Sequence, residues 1–165
     1  LQKKFKATPP QVHSFMNSPL LYLEDLVVGQ RFLSGTYKVD AAEIKEFAAK
    51  YDPQSFHLDE EAAVDTFFGG LAASGWLTAS ITMRLLVDGG LPVGGGLVGA
   101  GGEISWTRPV RPGDTLQVAS EVLEISPLSP RPGRGIVTVR SKVTNQENKQ
   151  VQVFTFKLLA AHRPA

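Results

Sequence analysis

The stretch that most restricts what this chain can fold into runs from Thr66 to Met83, eighteen positions without a charged side chain. That length reaches the threshold for a membrane span. Eight of the eighteen are Gly, Ser or Thr and the run opens on the turn-like Phe68-Gly69-Gly70, so a buried core helix explains it better than a lipid-facing one. The helix is expected to start near Ser74 and to run to Asp88, where Gly89 and Gly90 supply the stop. Leu77, Ile81 and Leu85 mark one stripe, and Trp76, Ala79, Met83, Leu86 and Val87 fill other faces, which predicts a helix apolar nearly all round and buried on most sides.

A helix of that kind must be wrapped, and the chain beyond it reads as strands. The candidates are Leu97 to Trp106, Asp114 to Ile125, Gly135 to Asn145 and Gln150 to Ala161, punctuated at Pro109, Pro112-Gly113 and Ser129 to Gly133. Ile136, Thr138 and Arg140 alternate with Val137, Val139 and Ser141, while Val151, Val153 and Thr155 alternate with Gln152, Phe154 and Phe156. Both faces of this sheet are therefore expected to be partly covered.

Ahead of the central helix, Leu20 to Val28 reads as a lead-in that turns at Gly29 into a strand near Arg31 to Val39. Asp40 with Glu43 is a capping-box pattern, and Ile44, Phe47, Ala48 and Tyr51 share one face of the helix it opens. Pro53 disfavours the α conformation at Asp52 and should stop that helix there. A second, short helix is expected from Glu60 to about Thr66 behind Asp59 as N-cap, which leaves His57 in the loop between the two. Phe67 and Phe68 are read as core anchors.

Asp52 and His57 are the chemistry-bearing residues of this stretch. A carboxylate and an imidazole folded into one pocket couple their proton affinities and make an acid-base pair; the plainer reading is a turn or capping aspartate beside an ordinary histidine. The other two histidines, His13 and His162, are far away and there is no cysteine. No metal site, disulfide or thiol nucleophile is therefore expected, and the absence of cysteine fits a reducing cytoplasm. A net charge of +1 gives no strong pull toward nucleic acid or an anionic membrane. With 42% apolar and 20% charged residues in 165, a single globular domain over residues 16–165 is expected. Residues 1–15 have no periodic apolar face and are read as an extension outside the fold.

Taken together, a helix, a loop carrying Tyr51-Asp52-Pro53-Gln54-Ser55-Phe56-His57, a Phe68-Gly69-Gly70 turn, a small-residue helix entry and an antiparallel run of strands resemble the MaoC-like dehydratases. These form the R-specific enoyl-CoA hydratase branch of the hotdog fold, and the resemblance covers about Leu20 to Ala161. Phe68, Ser74 and Gly75 match the family's F-x-x-x-I-x-H/S-G segment. Trp106-Thr107-Arg108-Pro109-Val110 with Arg111-Pro112-Gly113-Asp114 is similar to its F-x-x-P-V-x-x-G-D strand and turn. The chain departs from the family's D-x-x-P-x-H in having Ser55 at the proline position, Pro53 directly after the aspartate, and Gln54 where asparagine is usual.

The resemblance implies an α+β hotdog fold, an antiparallel sheet wrapped around a long central helix. It implies Asp52 and His57 as the catalytic pair, sharing one water, with Phe68, Gly70, Ser74, Gly75 and Trp76 around the substrate. The reaction implied is reversible syn hydration of trans-2-enoyl thioesters, borne by coenzyme A or an acyl carrier protein, to R-3-hydroxyacyl thioesters. Coenzyme A belongs to the substrate, and no cofactor is expected. Ser74 is equally readable as a plain N-cap, Gly69 and Gly70 as turn residues, and Arg108 and Arg111 as solvated strand-end residues ahead of contacts to coenzyme A phosphates. A homodimer or higher assembly is expected because the sheet leaves edge strands open. A hotdog acyl-CoA thioesterase and a non-catalytic acyl-thioester binder are the alternative functions.

Overall fold

The computed structural model describes residues 19–127 and 133–164. Residues 1–15, and the turn expected at Ser129 to Gly133 except for Gly133 itself, lie outside the described residues. The elements in chain order are β1 (Arg31–Lys38), α1 (Ala41–Tyr51), α2 (Ser55–Leu58), α3 (Glu60–Val64), α4 (Gly75–Leu85), β2 (Val98–Trp106), β3 (Thr115–Pro127), β4 (Arg134–Thr144) and β5 (Gln150–Ala161). The strands form one five-stranded sheet in the order β1-β3-β4-β5-β2, all neighbours antiparallel. The sheet wraps α4, the α+β hotdog arrangement.

The alternation in the sequence sets which face is buried. Val137, Val139, Ser141 and Val143 of β4 point inward and stand in register with Leu158, Phe156, Phe154 and Gln152 of β5. The apolar members of these pairs join Leu77, Ile81, Leu85 and Leu86 in the hydrophobic core, while Ser141 and Gln152 are buried polar residues among them. Fully burying an apolar side chain of this size contributes about 1.5–3 kcal/mol, so this inner face contributes substantially to stability.

The central helix is less enclosed than its composition predicts. Leu77, Thr78, Ile81, Thr82 and Leu85 are buried, whereas Trp76, Met83 and Val87 lie exposed on the opposite side. The helix is therefore apolar on two sides, one buried in the core and one exposed. The helix stops where Gly89 and Gly90 require it, through a wide π-type turn over Leu86–Gly90 in which Gly89 takes φ +116°.

The front helices differ from expectation in four places. Asp40 caps α1 by accepting from the Ala42 N–H at 2.8 Å, but Glu43 does not complete the box, because its carboxylate accepts from the Tyr37 hydroxyl instead. Tyr51 is exposed, unlike Ile44 and Ala48 on the same helix; α1 ends here, and the ring rests against its helix neighbours Phe47 and Lys50 and not in the core. His57 sits in the short helix α2, not in a loop. Phe67 is 98% exposed and does not anchor the segment in the core; its ring stands edge-on to that of Phe68 at 5.5 Å, and it is Phe68 that packs on Phe56, ring centroids 4.9 Å apart.

Candidate active site

Asp52 occupies the C-cap of α1, its N–H giving the last helical bond to Ala48 O at 2.9 Å. Pro53 acts as expected, and Asp52 leaves the helical region with φ −152° and ψ 65°. The chain then turns straight into α2, whose first turn carries His57 back toward Asp52. His57 Nε2 stands 3.3 Å from Asp52 Oδ2. The imidazole is 4% exposed, flanked by Phe56, edge-on at 4.5 Å, and by Phe68 at 5.9 Å between ring centroids.

The direction of each polar group is fixed. His57 Nδ1 lies 2.7 Å from the Ala72 carbonyl. A carbonyl only accepts, so Nδ1 carries the proton and, in the neutral ring, Nε2 presents its lone pair toward Asp52. Both oxygens of Asp52 are engaged: Oδ1 accepts from Gln54 Nε2 at 2.6 Å and Oδ2 from the Ser74 hydroxyl at 2.7 Å. Burial raises the Asp52 pKa, but the hydrogen bonds from Ser74 and Gln54, joined by the positive charge of His57 when that ring is protonated, outweigh it and hold the carboxyl below its ordinary value. Asp52 is thus ionised at neutral pH, beside a nitrogen able to take a proton.

The N-cap reading of Ser74 holds, and the same hydroxyl also meets Asp52. Fully buried, it caps α4 by accepting from the Trp76 N–H at 3.2 Å while donating to Asp52. From there a line of buried polar side chains runs along α4. Thr78 Oγ1 reaches Ser74 O at 3.4 Å, Thr82 Oγ1 donates to Thr78 O at 2.8 Å, and Gln152 Nε2 donates to Thr82 Oγ1 at 2.9 Å. Gln152 Oε1 in turn accepts from the Trp106 indole at 3.0 Å.

The remaining expected residues divide. Phe68 borders His57 with its ring, but Gly70 contributes backbone only, its N–H bonded to Ala63 O. At Gly75 a Cβ would meet the Trp106 ring at 2.6 Å, so the indole fills the space its missing side chain leaves. Trp76 lies edge-on to Trp106, ring centroids 5.2 Å apart, and faces outward. Arg108 donates to Gln150 O at 3.0 Å at an exposed strand end, as expected. Arg111 is no solvated residue: its guanidinium is part-buried against the carbonyls of Phe68, Gly70 and Leu71. Sequence reasoning missed Phe56 and the Ala72 carbonyl, and gave Arg111 the wrong surroundings. Phe56 stands inside the Asp52–His57 interval and was legible as an aromatic neighbour; a backbone carbonyl leaves no trace in sequence.

Among the described residues no group of three or more His, Asp or Glu side chains stands together as a metal site, and no helix is long and apolar enough to cross a membrane. A groove of about 630 Å³ runs along the uncovered side of α4, lined by Trp76, Ala79, Met83, Ile104, Phe154 and Phe156 among others.

The MaoC like domain family matches residues 26–150. A crystal structure of the MaoC-like dehydratase from Rhodospirillum rubrum is 56% identical with a TM-score of 0.86, over 88% of this chain and 99% of that one. An R-hydratase from Pseudomonas aeruginosa in its unliganded form is 31% identical with a TM-score of 0.70, over 86% of each chain. The uncharacterized protein YdeM of Bacillus subtilis is 37% identical, over 82% of this chain and 94% of its own length. With a family match across most of the domain and hydratases and dehydratases superposing on the same fold, the chain belongs to the MaoC-like family of hydrating and dehydrating hotdog proteins.

Proposed function

We propose that this protein adds water reversibly to trans-2-enoyl thioesters, enoyl-CoA in the first instance, giving R-3-hydroxyacyl thioesters. The observation that carries the reading is the juxtaposition of two groups able to accept a proton, His57 Nε2 and the ionised Asp52 Oδ2, 3.3 Å apart. One water can donate a hydrogen bond to each. As its oxygen bonds to the β-carbon, the C=C π bond breaks, one proton leaves the water for the pair, and the pair returns one to the α-carbon. The pair ends as it began, and with no net change of oxidation state the reaction asks for no redox partner.

Negative charge collects on the thioester oxygen as the new bond forms and needs a donor already in place. The Gly75 N–H, at the first position of α4, has no carbonyl within the helix to bond and lies at its positive end. Ser74 holds Asp52 and the helix entry in one geometry, which is a positioning role.

The active form in this reading is a homodimer. The edge strand β2 is exposed along nearly its whole length, and its open backbone edge adjoins the groove bearing Trp76 and Met83. A second copy, pairing its own β2, would continue the sheet and cover that apolar surface.

The test is a panel of trans-2-enoyl-CoA substrates of increasing chain length, followed by loss of the conjugated absorbance and by chiral analysis of the product. R-3-hydroxyacyl-CoA is the expected product. Release of free thiol without hydration would indicate a thioesterase, and binding without either change would indicate a non-catalytic binder.

A further inference from the structure

Between α3 and α4 the chain from Phe67 to Ala73 has neither helix nor strand to hold it. Its N–H groups are tied at five points, Phe68 to Thr66 Oγ1, Gly69 to Thr66 O, Gly70 to Ala63 O, Ala72 to Phe56 O and Ala73 to Val110 O. Its carbonyls converge on one side chain. Arg111 Nη1 donates to Gly70 O at 2.7 Å and to Leu71 O at 3.1 Å, and Nη2 donates to Phe68 O. Gly69 and Gly70, at φ +61° and +148°, give the backbone the turn that brings these carbonyls to one place. The next carbonyl along, that of Ala72, receives His57 Nδ1–H.

Arg111 is itself planted. Its backbone N–H donates to Asp114 Oδ2 at 2.8 Å, Asp114 is 7% exposed, and Gln146 Nε2 holds its other oxygen at 3.0 Å. A planar guanidinium can serve several acceptors in fixed directions at once, which the single ammonium of lysine cannot. With those donors turned inward onto backbone, they are not offered to a phosphate.

We propose that Arg111 is a positioning residue: by clamping the carbonyls of Phe68, Gly70 and Leu71 it fixes the Ala72 carbonyl, which in turn selects the Nδ1–H tautomer of His57 and aims Nε2 at Asp52. The part of this that concerns turnover rests on the reading of Asp52 and His57 as the catalytic pair; the effect on the tautomer does not.

The experiment compares wild type, Arg111→Ala and Arg111→Lys by nitrogen-15 NMR of labelled histidine, with His57→Asn assigning the signal, and by steady-state kinetics on an enoyl-CoA and the matching enoyl-pantetheine. In the wild type His57 should show a protonated Nδ1 and a bare Nε2. In Arg111→Ala the Nε2–H form should gain population and kcat should fall about a hundredfold, the scale of a small misplacement of a reacting group. KM should barely move, and the loss should be equal for both substrates because neither the nucleotide nor its phosphates is involved. Arg111→Lys should fall between the two, and it decides the matter by the same readouts if the alanine variant does not fold. An unchanged tautomer overturns the proposal, as does a KM rise confined to the coenzyme A substrate, which would place Arg111 on a phosphate. If the tautomer shifts in a protein whose wild type hydrates nothing, the clamp stands and the assigned reaction falls.

Discussion

The Ser74 hydroxyl donates at 2.7 Å to Asp52 Oδ2, the same oxygen that faces His57 Nε2. One short contact thus joins the N-cap of the central helix to the carboxylate of the candidate site. A hydrogen bond to a carboxylate favours its charged form, so removing the donor must raise the Asp52 pKa. Ser74→Ala should move the acidic limb of the kcat/KM profile to higher pH, and Gln54→Ala should move it the same way. At neutral pH each should cost less than the loss of Asp52 or His57. A limb that stays in place in both variants would show that Asp52 does not set it.

Folding holds Asp52 below its ordinary pKa of 3.8, so the unfolded chain binds the proton more tightly. The stability this adds is present in full above the ordinary value and is lost as pH falls through the lower folded one. Chemical denaturation of wild type and Asp52→Asn at neutral and at acid pH checks the sign. The wild type should lose more stability on acidification than the variant, and equal losses would contradict it.

Gln152 is the one fully buried amide in the inner face of β5. It accepts from Trp106 and donates to Thr82, and leucine can do neither. Gln152→Leu should destabilise the fold by about 1–3 kcal/mol, the cost of leaving buried polar groups unpaired. Thermal or denaturant melting measures it, and a stabilised variant would mean the polar line along α4 is not a structural tie.

Much of the fold was legible because two periodicities dominate it. The twofold alternation in β4 and β5 and the uncharged run into α4 fix which faces meet, and β5 falls at Gln150–Ala161 as the pattern predicts. Pro53 and Asp59 mark helix ends for local reasons, so they too could be read. What could not be read depends on contacts distant in sequence. Phe67 and Phe68 are identical in composition and adjacent, yet only the fold decides that Phe67 is outside. Nothing in the sequence says that Arg111 meets carbonyls some forty residues earlier, nor that Trp106 fills the space beside Gly75. Phe67→Ala should accordingly change stability by no more than about 0.5 kcal/mol, as for other surface positions.

A charge placed in the groove on α4 should break the proposed dimer. Met83→Glu lies on the exposed face, so the monomer's core loses nothing by it. Sedimentation at micromolar concentration should show a dimer for the wild type and a smaller species for the variant. A wild type that is monomeric and fully active would contradict the assembly.

The most direct measurement is a double-mutant cycle on hydration of a short enoyl-CoA with Asp52→Asn, His57→Ala and the two combined. Each single change should lower the rate by about a hundredfold to ten-thousandfold, the usual worth of a positioned acid or base. Because both groups act on one water, the double variant should resemble the worse single one. Folded single variants that retain near wild-type rates, or losses that multiply in the double variant, would contradict a catalytic unit made of Asp52 and His57.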